Sequence, residues 1–241
     1  MEPEEAARAS ARGIGDLPAN FMLDGATYER GGQLGFDGVD FYVGGRGGAL
    51  GDVDGRVVAA AFAFFNHGQI VDSWDRARKV MAPLESAAAF AGCLAAWAHA
   101  HLGEGPDYER LAELAGRLVE GADVACAPLF AAWSVLPEPE DPPALALFRL
   151  NLLRELRGAV HAGAVLAAGL TPLEAVSVKT PYMAAIFGWG EALPENEAVR
   201  GAWQCAEEGT DRAVGRAFLA LAPEERTEFV DLLQEAAASV R

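Results

Sequence analysis

The chain has 241 residues, of which 51% are hydrophobic, and it carries a formal net charge of −16. This length and composition predict a globular protein with one large core or two smaller ones. The acidic balance argues against a nucleic-acid partner, because the phosphates would be repelled.

The chain shows no sign of a membrane segment or a secretion signal. No apolar run is long enough to cross a bilayer, and the acidic start, Met1 to Glu5, lacks the basic and then apolar order of a signal peptide. We therefore expect a cytoplasmic protein with no membrane partner.

Alanine and leucine recur at helical spacing along most of the chain, which predicts an all-α fold, a multi-helix bundle. The first predicted helix covers residues 2–12 and ends at Gly13, Gly15 and Pro18. The glycine-rich segment near residues 31–55 is expected to be irregular. Its glycines serve turns and close packing, or they form a site loop that brings Arg46 to a ligand.

Helices are then predicted from residue 57 to 65, 69 to 79, 83 to 102, 106 to 119 and 122 to 136. Asn66 and His67 lie at the turn between the first two, where they either cap a helix or point into a cavity facing Arg46. His99 and His101 face different directions on their helix, so a shared metal site is not expected.

The three cysteines, Cys93, Cys126 and Cys205, are widely spaced among apolar neighbours and are predicted to be buried and reduced. We expect neither a disulfide nor a metal site, and no cofactor.

Residues 137–143 form a stiff, acidic, proline-rich linker. It separates an N-terminal helical part, 1–136, from a C-terminal helical part, 144–241, and the two are expected to pack as one unit. The helix from residue 144 to 168 closes at Gly169, and Thr171 with Glu174 predicts the cap of the next helix. The aromatic stretch from Lys179 to Trp189 either lines a pocket or fills the core, and we favour the core. Two more helices are predicted at 196–220 and 223–240.

Charged residues interrupt the apolar run of the long helix. Arg154, Arg157, Gly158 and His161 fall, with Asn151, on about a third of its circumference. Two guanidinium groups and an imidazole on one stripe can receive an oxyanion, and the alternative is a solvated helix face. The predicted catalytic residues are Glu155 and His161, and the predicted substrate-binding residues are Arg46, Asn66, His67, Arg154, Arg157 and Tyr182.

The order of motifs in the chain resembles an actinobacterial family of helical proteins labelled helix-turn-helix. The resemblance rests on Phe41 to Arg46, on Leu152 to His161, and on the ending Thr210-Asp211-Arg212 with Pro223 to Arg226. Family members have the sequence Leu-Arg-Glu-His-Arg-Gly-Asp-Gly-His on the long helix. This chain differs from it at three positions, where Leu156, Ala159 and Val160 replace the His, the Asp and the second Gly.

A second departure lies between Gly188-Trp189 and Thr210-Asp211. Family members carry a winged helix-turn-helix of several tens of residues there, whereas this chain has only residues 190–209. The resemblance implies a fold derived from helix-turn-helix proteins. The tail resembles the dimerising helices of MarR-type regulators, which implies a homodimer or pairing with a related subunit. The shortened wing and the negative charge argue against DNA binding.

The main functional hypothesis is a cofactor-independent enzyme of actinobacterial antibiotic metabolism. In it, arginines hold a departing sulfate or phosphate while a carboxylate removes a proton from an amine, which closes a ring of the aziridine type. The alternatives are a non-catalytic small-molecule-binding protein or partner subunit, and a MarR-like transcriptional regulator. A small-molecule partner is expected in each case. The sequence is compatible with a cationic ligand and with a ligand that is bound to a carrier protein.

Overall fold

The computed structural model describes all residues, 1–241. It is 72% helical and has no strands, which confirms the all-α prediction. The helices are α1 (Pro3–Leu23), α2 (Gly25–Gln33), α3 (Asp40–Gly48), α4 (Gly55–Ala61), α5 (His67–Val80), α6 (Pro83–His101), α7 (Tyr108–Glu120), α8 (Pro128–Trp133), α9 (Pro142–Ala167), α10 (Pro172–Lys179), α11 (Glu197–Val214) and α12 (Pro223–Ala238), with short 3₁₀ helices at Pro181–Met183 and Ala217–Ala220.

Helix α9 is the central element of the bundle. It begins at Pro142, where the side chain of Asp141 accepts a hydrogen bond from the backbone N–H of Ala144 at 3.2 Å. It packs against α1, α6, α7, α8 and α11. One core of 48 buried residues extends from α1 to α12 and includes the buried face of α9. The core therefore surrounds the helix that carries the charged stripe.

The glycine-rich segment is more regular than its sequence suggests, because helix α3 covers its centre. Each glycine disfavours a helix by about 1 kcal/mol relative to alanine. Here, however, the missing side chains let α3 approach α6 closely: a Cβ at Gly45 would lie 2.5 Å from the side chain of Phe90. Tertiary packing thus outweighs the local preference for a turn.

Helix α1 also continues past the residues expected to end it. Pro18 lies inside the helix, and Ile14, Leu17 and Phe21 are buried on the same face. Burying each of these side chains contributes about 1.5–3 kcal/mol, which offsets the lost backbone hydrogen bond of the proline. Gly13 allows the helix to approach Leu233 of α12.

Two of the three cysteines differ from the prediction. Cys93 is buried, but Cys126 and Cys205 are exposed, and all three are free thiols. Cys205 lies on α11 beside the buried Ala206, so the apolar neighbourhood in sequence covers only one face of the helix.

The chain bends sharply between α9 and α10. The two helices are turned by 112° across the four residues 168–171. Gly169 has a φ of +80°, a left-handed conformation that glycine adopts without steric penalty. Thr171 and Glu174 form the predicted capping box at the start of α10.

No single helix is both long and apolar enough to cross a membrane. Only the bent pairs α5 with α6 and α9 with α10 reach that length and hydropathy when their two members are taken together.

Candidate ligand-binding cavity

A cavity of about 470 Å³ lies where α1, α3, α9, α10 and the segment 180–187 meet. Of its 32 lining residues, 21 are hydrophobic, and the aromatic ones include Tyr42, Phe62, Phe64, Phe65 and Phe187. This size and lining are typical of a site for a small organic molecule. Of the eight predicted site residues, the cavity brings together Arg46, Arg154, Glu155, Arg157, His161 and Tyr182.

Arg46 and Glu155 form a buried ion pair at the wall of the cavity. Arg46 Nε and Nη2 each donate to one carboxylate oxygen of Glu155 at 2.8 Å. The guanidinium lies 4.5 Å from the centre of the Phe62 ring and also donates to the hydroxyl of Tyr42. Trp133 fixes the backbone of α3 here, because its indole N–H donates to the carbonyl oxygen of Arg46 at 3.0 Å.

The charge of Glu155 is fully engaged in this pair. Burial raises the pKa of its carboxyl, but the charge and hydrogen bonds of Arg46 and the charge of Arg154 outweigh burial, so the pKa lies below its ordinary value. Arg154 Nη1 donates to the same carboxylate at 3.1 Å. One negative charge therefore faces two positive ones, and the group of three carries a net positive charge.

A second polar cluster joins α9 to α11. Arg157 Nη2 donates to Glu207 at 2.7 Å, and His161 Nδ1 lies 2.9 Å from Thr210 Oγ1. The Thr210 hydroxyl donates its hydrogen to the carbonyl oxygen of Ala206, so His161 Nδ1 is the donor to Thr210. Burial lowers the pKa of His161 below its ordinary value; the carboxylate of Glu207 opposes this shift, and the charges of Arg157 and Lys179 add to it.

The mouth of the cavity is formed by Lys179 and Trp203, which the sequence did not single out as site residues, together with the predicted residue Tyr182. Lys179, at the end of α10, lies with its Nζ 5.4 Å from the centre of the Trp203 ring and has no carboxylate partner. The indole Nε1 of Trp203 is buried and makes no hydrogen bond. Tyr182 also lines the mouth, although 78% of it is exposed. Six residues of the stretch from Lys179 to Trp189 line the cavity, which differs from the expectation that this stretch fills the core.

Two predicted substrate-binding residues lie outside the cavity. Asn66 caps α5, where its side chain accepts a hydrogen bond from the backbone N–H of Gln69 at 3.3 Å. Its own backbone N–H donates to the carbonyl oxygen of Phe187. His67 is the first residue of α5 and is exposed. Asn66 thus supports the segment that covers the cavity and does not line it.

Asn151, on the predicted stripe, is also absent from the cavity lining. It is completely buried, and neither atom of its side-chain amide has a hydrogen-bond partner. No group of three or more His, Cys, Asp or Glu side chains is arranged to hold a metal ion.

A family profile described as a helix-turn-helix family matches residues 7–200 of the chain. Neither a curated protein nor a solved structure matched.

This match corrects the main functional hypothesis. The expectation of a ring-closing enzyme of antibiotic metabolism is wrong, since the family points to a DNA-binding regulator and no catalytic family matches. The geometry agrees with this correction at Glu155, because both oxygens of the proposed base already accept hydrogen bonds from Arg46.

The exclusion of a nucleic-acid partner is wrong as well. It rested on the net charge of the whole chain, which averages over the surface. A helix-turn-helix protein contacts DNA through one helix and its surroundings, so local charge matters more than the total.

Proposed function

Because the chain belongs to the helix-turn-helix family, we propose that it is a ligand-responsive transcriptional regulator whose effector binds in the cavity. The observation that carries the proposal is that α10 forms part of the cavity wall. Ala175, Val176 and Lys179 of this helix line the cavity, as do Gly158 and His161 of α9.

The bend between α9 and α10 supports a role in DNA binding. Two helices at about 90–120° joined by a turn of three or four residues, often with a glycine, make the DNA-binding unit of this class. Here the bend is 112°, the turn has four residues, and Gly169 occupies its left-handed position. In such a unit the second helix, α10 in this chain, faces the major groove.

A ligand can regulate this unit only if the protein has two conformations that differ in the placement of α10, and if the ligand binds one of them more tightly than the other. A molecule in the cavity touches both α9 and α10, so it acts directly on the angle between them. The resemblance of the C-terminal tail to MarR-type regulators stays a prediction. The pairing of two copies, which this resemblance implies, is also a prediction.

The proposal is tested by selecting duplexes from a random DNA library and measuring their affinity by fluorescence anisotropy. Gly158→Trp fills the cavity from α9, where a Cβ meets nothing within 4 Å. We expect it to change the affinity for the selected duplex by about tenfold, a typical size for coupling between two sites.

Gly163→Trp is the matched control, because Gly163 lies on the same helix but is exposed and outside the cavity. Failure to select any duplex would contradict the regulator function. Equal DNA affinity in the two variants would show that the cavity is not coupled to DNA binding.

A further inference from the structure

The charges around the cavity leave an excess of positive charge. Arg46 is matched by Glu155, Arg157 by Glu207, and the lining residue Asp16 by Arg12. Arg154 pairs only with the Glu155 carboxylate, which is already bound by Arg46, and Lys179 has no carboxylate partner. In a chain with a net charge of −16, this wall is locally positive.

The donors at the mouth also lack an acceptor. Trp203 presents a buried indole N–H without a hydrogen-bond partner, and the ammonium group of Lys179 lies over the same ring. A buried donor without an acceptor destabilises a protein, because it loses its hydrogen bonds to water on folding and gains none in return. If the atoms that cover the indole nitrogen moved aside, a ligand oxygen there would accept a hydrogen bond from the indole N–H and lie near the charge of Lys179.

The remaining wall is apolar and aromatic. The rings of Phe65 and Phe187 lie with centroids 4.2 Å apart, and Tyr42 and Phe62 extend the same surface. Such a wall accommodates a flat apolar body and offers few polar groups to hydrogen-bond with it.

We propose that the cavity binds an organic anion with a flat apolar body, whose carboxylate or sulfonate head lies between Lys179 and the indole N–H of Trp203. Arg154 adds positive potential to the same wall. This inference rests on one part of the proposed function, namely that the cavity binds a small molecule. It adds the chemical class of that effector.

The test uses three probes of the same shape, 2-naphthoate, 2-naphthamide and 2-naphthylmethylammonium, in isothermal titration calorimetry with the full chain. A hydrogen bond between charged groups contributes about 1.5–3 kcal/mol, so we expect the carboxylate to bind at least about tenfold tighter than the amide. The ammonium probe should bind weakest, because it meets two positive side chains.

Two substitutions test where the carboxylate group of the ligand binds. Lys179→Met keeps the apolar stem and should reduce naphthoate affinity about tenfold while leaving naphthamide affinity unchanged. Trp203→Phe removes the indole N–H and should weaken naphthoate by a smaller factor. Lys79→Met is the matched control, because Lys79 is the other lysine of the chain, is exposed on α5, and should not affect any probe.

The outcomes separate the two proposals. Equal binding of naphthoate and naphthamide, or an unchanged naphthoate affinity in Lys179→Met, overturns the anion inference alone. Binding of none of the probes overturns it together with the cavity as an effector site. If naphthoate binds as expected but leaves the affinity for the selected duplex unchanged, the inference stands and the regulatory function fails.

Discussion

At the scale of single residues, the pair Arg46 and Glu155 is the most consequential interaction. Only 11% of the Arg46 side chain and 1% of the Glu155 side chain are exposed. Removing one partner of a buried pair leaves a charge without compensation, which destabilises a protein by about 3–5 kcal/mol. We expect Glu155→Gln to lower the free energy of unfolding by this amount in urea denaturation at pH 7.

The control for this substitution is Glu138→Gln, which breaks the more exposed pair with Arg149 and should change stability by about 1 kcal/mol or less. The double substitution Arg46→Met with Glu155→Leu should recover most of the loss, since no buried charge then remains. A Glu155→Gln variant as stable as the control would contradict the interpretation.

The difference between wild type and Glu155→Gln should also depend on pH. The pKa of Glu155 is lower in the folded chain than its ordinary value of about 4.3. The stability from the pair is therefore complete above that ordinary value and is lost as the pH falls through the lowered folded pKa. Urea titrations from pH 7 to about pH 3 should show the two proteins converging at the acidic end.

The sequence could indicate part of this site and not the rest. Helical spacing placed Arg154, Arg157 and His161 on one stripe, because side chains three and four positions apart share a face. It could not show that Arg46, 109 positions from Glu155, would neutralise that carboxylate. The sequence did not indicate Trp203 as a site residue, because a single aromatic residue on a polar helix does not show which other elements pack against it.

At the scale of the elements, the bend between α9 and α10 depends on the backbone of Gly169. Its φ of +80° is strained for any residue with a Cβ, so we expect Gly169→Ala to lower stability by about 1–2 kcal/mol. Because the bend orients α10 against the cavity, the variant should also weaken naphthoate binding.

The matched control is Gly163→Ala in the middle of α9. Gly163 is helical and exposed, and its Cβ position is open, so alanine there should be neutral or stabilise the helix by up to about 1 kcal/mol. Thermal melts of both variants measure the difference. Equal melting temperatures would show that the turn does not require glycine.

Prediction was strongest for elements with their own local signals. The capping box of α10 follows from a short motif and is present in the structure. Helices α1 and α3 could not be delimited in this way. Their glycines and Pro18 resemble breaks until the partners, Leu233 and Phe90, are known.

At the scale of the whole molecule, the distribution of charge decides how the chain can meet DNA. Most arginines are bound to carboxylates of the same chain, including the network of Arg110 and Arg117 with Glu225. Few cationic side chains at the surface lack a carboxylate partner: Arg30, Lys79, Lys179, Arg212, Arg216 and Arg241.

This arrangement predicts an unusually weak dependence of DNA binding on salt. The logarithm of the association constant falls with the logarithm of salt concentration with a slope of about −0.9 for each phosphate neutralised. Few free cations per chain, dispersed over the surface, can neutralise only about one to three phosphates, so we expect a slope between about −1 and −3. Anisotropy titrations of the selected duplex from about 50 to 200 mM salt measure it. A slope near −6 or steeper would contradict this expectation and would mean that intramolecular ion pairs open on DNA.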